Sequence, residues 1–301
     1  MSKPSAPKKN NTAKAIKPYI WLLPSIILMV IMIVIPIVTV FQISFSEVGR
    51  TGLIKGFNGL ENYKDIITDP IFWKTLKNTI VWTVAVVGLS TLIGFIMALV
   101  LNQKFVGRKI VRAIVIFPWA TALVIQAVVW KYILSADYGP LNVLLMKLGI
   151  IDEFINWTGT ANTMFMWEIW VGIFVTVPFV MFCVLSGLQS IDTTLYEAAA
   201  VDGASFWHKL FKITLPLVRP SLTVSTVLNI IYVFNSFPIV WNMSKGAPAN
   251  QTHTLVTYLY YLSFSDGKSG HAAAVSVLGF VVLAIVASIY MIITLRAEGE
   301  N

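Results

Sequence analysis

Residues 169–216 read IWVGIFVTVPFVMFCVLSGLQSIDTTLYEAAAVDGASFWHKLFKITLP. The first part, Ile169–Ile191, holds no Asp, Glu, Lys or Arg. A bilayer-spanning helix needs about 20 mainly apolar residues, so this stretch is long enough to cross. Five others meet or approach the same test: Pro18–Ser46, Asn78–Gln103, Ala113–Trp130, Pro220–Ser244 and Ser269–Leu295. Ala113–Trp130 is the shortest, with Trp119 and Trp130 suited to an interfacial helix end. A charge at mid-bilayer costs roughly 2.5–3.5 kcal/mol on the insertion scale, so six charge-free gaps in one chain are a membrane signature. Barrel strands would be about 10 residues long and would alternate, which these do not. The expected fold class is all-α: a polytopic membrane helix bundle with six transmembrane helices.

The whole composition agrees. Of 301 residues, 57% are hydrophobic and 12% charged, with a mean hydropathy of +0.77. A soluble domain averages about 45–50% apolar and 25% charged, so too few charges remain to cover a soluble surface. Cys183 is the single cysteine and lies in an apolar run, so it forms no internal disulfide and reads as a packing residue. Lys14 and Lys17 before the first span resemble a signal-peptide start. The uncharged run far exceeds a 7–15-residue h-region, and it reads as a retained helix.

The net charge of +8 is placed by topology rather than by nucleic-acid binding. Lys3, Lys8, Lys9, Lys14, Lys17, Lys104, Arg108, Lys109, Arg112, Lys209, Lys212, Arg219 and Arg296 fall on one side. These are thirteen of the 22 basic residues, and eight acids lie on the other side. The positive-inside rule puts the first side, with both chain ends, in the cytoplasm of a multi-pass cell-membrane protein. The expected organisation is a disordered basic tail at 1–17, a six-helix membrane bundle at 18–295 and a short tail at 296–301. The outer connections, Glu47–Lys77 and Lys131–Thr163, are expected to hold short amphipathic or re-entrant pieces.

Catalytic patterns are missing. There is no HExxH zinc motif and no GxSxG elbow. His208, His253 and His271 have no partners at metal spacing. Gly267-Lys268-Ser269 has the tail of a phosphate loop, but Leu262 stands where its first glycine belongs. Glu168 is the one acid near a span and reads as an interfacial carboxylate reaching water, or else as a gating group. No cofactor or metal is expected on this chain.

The second part of the quoted stretch, residues 190–216, is more than a linker. Asp192 or Thr193 can cap a helix, and Thr194 with Glu197 has capping-box spacing. The alanines favour helix, Gly203 allows a sharp turn, and Ser205 can cap a second helix. That helix would carry Phe206, Leu210, Phe211 and Ile213 on an apolar side, and Pro216 would end it. The loop either packs under its own bundle or docks a soluble partner.

Glu197-Ala198-Ala199, then Gly203, then Ile213-Thr214-Leu215-Pro216 resembles the EAA signature of membrane subunits of binding-protein-dependent ABC importers. Further segments resemble the sugar-uptake branch of that family, in particular the first permease of maltose and glycerol-3-phosphate type systems. They are Gly59-Leu60-Glu61-Asn62-Tyr63, Phe117-Pro118-Trp119, Asp137-Tyr138-Gly139-Pro140, Gly187-Leu188-Gln189 and Gly246-Ala247-Pro248. The resemblance implies a permease half working with a second permease, two cytoplasmic ATPase subunits that bind the ATP, and an extracytoplasmic solute-binding protein. It assigns ATPase coupling to Glu197, Ala198, Ala199, Asp202, Gly203, Ile213, Leu215 and Pro216. The solute would be a carbohydrate, with a phosphorylated polyol as alternative. An ATP-independent carrier is disfavoured, because it needs no such hairpin.

On the fifth span, at about 100° per residue, Ser225, Asn229, Tyr232 and Ser236 form a polar stripe about 60° wide, with Asn235 at its margin. Such a stripe should face another helix or a cavity, not lipid. Asn229 and Ser236 offer hydrogen bonds and Tyr232 an aromatic face, as a sugar path needs. The fourth span offers Val175 and Phe179 opposite, with Thr176 beside them.

Overall fold

The computed structural model describes the backbone of residues 12–299 and the side chains of residues 21–294. Helix α1 (Thr12–Met29) passes through a π turn at Val30–Val34 into α2 (Ile35–Ser44). Strands β1 (Ser46–Val48) and β2 (Ile54–Phe57) form an antiparallel hairpin that pairs Ser46 with Phe57. Helix α3 (Glu61–Thr68) leads to α4 (Pro70–Asn102). There Asp69 accepts from Ile71 N at 2.8 Å, and Pro70 has no N–H to leave unpaired. Helices α5 (Arg108–Ala120) and α6 (Leu123–Ile133) meet at 96°. Next come α7 (Pro140–Lys147) and α8 (Ala161–Gln189), the latter started by reciprocal bonds between Thr160 and Thr163. Helices α9 (Thr193–Val201) and α10 (Phe206–Lys209) follow. A π turn at Leu210–Thr214 joins α10 to α11 (Leu215–Phe234). The chain closes with α12 (Pro238–Met243), α13 (Leu255–Tyr260) and α14 (Ser269–Gly299).

Five helical stretches are long and apolar enough to cross a membrane, and the bent α5–α6 pair supplies a sixth. The sequence expected that sixth one as a straight helix over Ala113–Trp130. It breaks instead at Thr121, whose backbone is extended. The carbonyls freed there are taken up locally: Thr121 Oγ1 donates to Phe117 O at 2.9 Å and Gln126 Nε2 to Pro118 O at 3.4 Å. Pro118, which cannot donate, lies just before the break.

Other boundaries shift as well. Pro216 does not end the hairpin's second helix. The π turn before it leaves Leu215 N bonded to Leu210 O, so the turn is already widened where the proline ring enters, and the helix continues to Phe234. The fifth span therefore begins before Pro220, and it breaks at Asn235–Phe237 before α12. Helix α1 reaches back to Thr12, into the stretch expected as a disordered tail; residues 1–11 lie outside the described residues. Glu168 does not reach water. Helix α8 starts at Ala161, so Glu168 sits in its second turn, fully buried, with both carboxylate oxygens unpartnered among the described residues.

The core is built on α4, α8 and α11. Trp82, Val86, Val171, Val175, Ile230 and Val233 form one cluster, and Trp82 Nε1 donates to Val233 O at 2.9 Å. Ala98, Leu101, Met181, Val184, Leu188 and Val218 form another nearer the α9–α10 hairpin. Residues 21–43 contribute no buried side chain, and α2 rests on α14. At the opposite end the connections are tied down by amides. Asn62 Nδ2 donates to Ser44 O and Ser46 O, and Asn78 Nδ2 to Gln251 O and His253 O.

Candidate functional site

Two places carry the predicted residues. The first is the hairpin. Asp192 starts α9 by accepting from Thr194 N at 2.9 Å. That backbone bond and the Thr194 hydroxyl hold the Asp192 carboxyl below the usual carboxylate range. The far end of α9 closes with Ala204 N on Ala199 O (2.8 Å) and Gly203 N on Ala200 O (3.1 Å). This Schellman pattern needs a left-handed residue after the helix, and Gly203 supplies it at φ +73°. Ser205 Oγ then accepts from His208 N and starts the second arm. The arms are stapled: Thr214 Oγ1 donates to Lys209 O at 3.2 Å, and Tyr196 OH donates to Thr214 Oγ1 at 3.0 Å.

What the hairpin shows to its surroundings is partly charged and partly aromatic. Glu197, Ala198, Asp202, Gly203 and Pro216 are exposed, while Ala199, Ile213 and Leu215 are half-buried. Phe206, Trp207 and Phe211 are exposed; Phe206 meets Trp207 edge-on at 5.4 Å between ring centroids, and Trp207 stacks on Phe211 at 6.0 Å. Leu210, expected on the same side as Phe206, turns inward and is buried. The Tyr196–Thr214 staple was not foreseen, because it joins residues on either side of the turn.

The second place is a cavity of about 290 Å³ lined by Trp119, Thr176, Phe179, Leu228, Asn229 and Tyr232. Trp119 and Phe179 lie face to face at 6.5 Å. Asn229 Nδ2 donates to Ser90 Oγ on α4 at 2.9 Å, and Asn229 Oδ1 is buried with no partner among the described residues. Tyr232 is half-exposed. Of the stripe, then, Asn229 and Tyr232 reach this cavity together with Phe179. Ser225 is buried and bonded to Leu222 O, Val175 is in the core, and Asn235 is exposed and bonded to Ile231 O. The Ser236 hydroxyl is buried without a partner. Trp119 was missed as a lining residue, because the packing of α5 on α8 sets it opposite Phe179. A larger groove of about 990 Å³, walled by Trp130, Trp157, Trp167 and Trp170, is almost wholly apolar.

The family model described as the binding-protein-dependent transport system inner membrane component matches residues 90–297. This chain belongs to that family. It is thus an ABC transporter permease, a membrane transport component rather than an enzyme. A probable ABC transporter permease of Brucella suis biovar 1 (strain 1330) is 44% identical to the permease, over 93% of this chain and 97% of that protein. The trehalose/maltose transport system permease protein MalF of Thermococcus litoralis is 33% identical, over 91% of this chain and 92% of that one. Among solved structures, a chain of a bacterial ABC transporter that imports alginate superposes with a TM-score of 0.83 at 24% identity. That match covers 95% of this chain and 99% of the other. It establishes that the permease shares this fold.

Proposed function

We propose that the permease forms half of the translocation path of an ABC importer for a neutral carbohydrate. A second permease would complete the path, two ATPase subunits would drive it, and an extracytoplasmic binding protein would deliver the solute. Both chain ends and the hairpin would face the cytoplasm, as the Lys and Arg asymmetry requires. The observation that carries this reading is the hairpin. It is a capped helix pair that leaves Glu197 and the Phe206–Trp207–Phe211 aromatic cluster exposed. An exposed aromatic patch of this kind marks a protein contact.

The sugar assignment has two supports. One is the transport named for the Thermococcus litoralis relative. The other is the cavity, whose lining offers an amide, a phenol and two facing aromatic rings and no charged side chain. A neutral polyhydroxylated solute fits that lining better than a phosphorylated polyol. The test is uptake into vesicles that hold the assembled complex, with labelled disaccharides and the binding protein outside. Import should need both ATP and the binding protein. Import without ATP would overturn the reading.

A further inference from the structure

At the hairpin end, α5 begins with two arginines, Arg108 and Arg112, one helical turn apart. Both point at one neutral group. With its carboxamide oxygen facing them, Gln189 Oε1 accepts from Arg112 Nη2 at 2.8 Å and from Arg108 Nη2 at 3.1 Å. Arg112 Nη2 also reaches Leu101 O, at 3.4 Å, in the last turn of α4. Neither guanidinium has a carboxylate among the described salt bridges.

Two like charges side by side need compensation, and helix geometry supplies it. Gln189 is the last residue of α8, and Leu101 lies one residue from the end of α4. Each helix C-terminus carries partial negative charge on carbonyls without intrahelical partners. The arginines therefore sit between two negative helix ends, bonded to a side chain at one and a backbone carbonyl at the other.

The connections on either side give this arrangement its consequence. Four residues beyond Gln189, α9 begins. Two residues before it, Gly187 lets α8 lie so close to α11 that a Cβ there would run into Ser221 and Val218. So the base of the hairpin is fixed to α11 by close packing and to α5 by Gln189. Helix α5 then runs without interruption from Arg108 to Ala120 and carries Trp119 to the cavity wall.

We propose that Arg108, Arg112 and Gln189 form a coupling clamp. They are positioning residues that pass a displacement of the hairpin along α5 to Trp119, and so to the solute cavity. This rests on the importer reading above. In it, the ATPase moves the hairpin and the clamp links that movement to the third span. Without the clamp, ATP would still be hydrolysed and the hairpin would still move, but the Trp119 wall would not follow.

The experiment measures solute imported per ATP hydrolysed, in vesicles holding the full complex with its binding protein. Gln189→Leu removes the acceptor, and Arg112→Lys keeps the charge but loses the fork that reaches two acceptors. Both should purify with all subunits. The ratio should fall about tenfold, the scale of one charge-assisted hydrogen bond, while ATP hydrolysis falls far less. Gln189→Glu, whose carboxylate can still accept from both arginines, should keep the ratio near that of the unsubstituted complex. An unchanged ratio in Gln189→Leu and Arg112→Lys overturns the clamp. So does loss of subunits in both, with residual complexes that import normally, since the contact would then be purely structural. An unsubstituted complex that hydrolyses ATP and imports nothing overturns the importer reading itself.

Discussion

Asn229 on α11 donates to the Ser90 hydroxyl on α4 at 2.9 Å, while its own carbonyl oxygen lies buried beside the cavity with no donor among the described residues. The amide is thus anchored on one side and vacant on the other. A buried acceptor without a donor costs about 1–3 kcal/mol, and a solute hydroxyl could relieve that cost on binding.

This separates two variants that otherwise look alike. Asn229→Ala should lower apparent solute affinity two- to tenfold, the scale of about 0.5–1.5 kcal/mol for one hydrogen bond. Ser90→Ala removes the anchor and leaves the oxygen, so its effect should be smaller. Uptake as a function of solute concentration measures both. Equal losses in the two variants would make Asn229 a helix–helix contact alone.

Tyr232 and Phe179 line the same cavity from different helices. Tyr232→Ala should reduce uptake and change the ranking of a disaccharide panel, while Tyr232→Phe should keep most of the ranking. If the ranking is the same in all three, the ring does not meet the solute.

Gly203 has open space around it, with no atom within 4 Å of where a Cβ would sit, and its φ is +73°. A substitution there costs backbone strain rather than a clash within this chain, about 1–2 kcal/mol for an ordinary L residue. Asn tolerates the left-handed region better than Val. Coupled ATP hydrolysis should therefore decline in the order Gly, Asn, Ala, Val, at equal amounts of inserted protein. A flat series would show that the turn is not used at the contact.

His253 is fully buried between Trp241 and Tyr261, with Nδ1 on Thr257 Oγ1 at 3.1 Å and Nε2 unpartnered among the described residues. Burial lowers its pKa from 6.5 to about 4. The unfolded chain takes up this proton near pH 6.5 and the folded one only near pH 4. Stability is therefore lost as pH falls through that window and the loss levels off below it. Thermal unfolding of the purified permease, compared with His253→Gln across the window, should show a difference that shrinks toward acid. A constant difference would mean that the ring titrates normally.

Single cysteines on a Cys183→Ser background test orientation. Reagent added outside should label positions 137 and 245 and spare position 209. Labelling at 209 would invert the topology and remove the hairpin from the ATPase side.

Length and charge made the spans legible, because a membrane tolerates few ways to hide a backbone. The hairpin was legible too, since Asp192, Gly203 and Ser205 each act through a local backbone bond. What escaped depended on distant neighbours. Thr121 breaks its span because Gln126 can satisfy a carbonyl from beyond the bend. Trp119 gains a role only when α5, packed on α8, sets it against Phe179. Glu168 looked interfacial because Trp167 and Trp170 flank it, and the early start of α8 buries it. Pro216 carried a stop signal that a widened turn overrode.

That widened turn also sets a rotational phase. The π turn at Leu210–Thr214 spends one residue more than an α-turn would on the same advance. The same residues wound as an ordinary helix would add one more residue's rotation. Phe206 and Trp207 would then swing by about 100° around the axis relative to Asn229 and Tyr232 further along. The direction in which the permease offers its aromatic stack is thus indexed, through one extra residue, to the face it turns toward the solute. Closing the turn with every residue kept would mis-clock the two without altering a side chain at either.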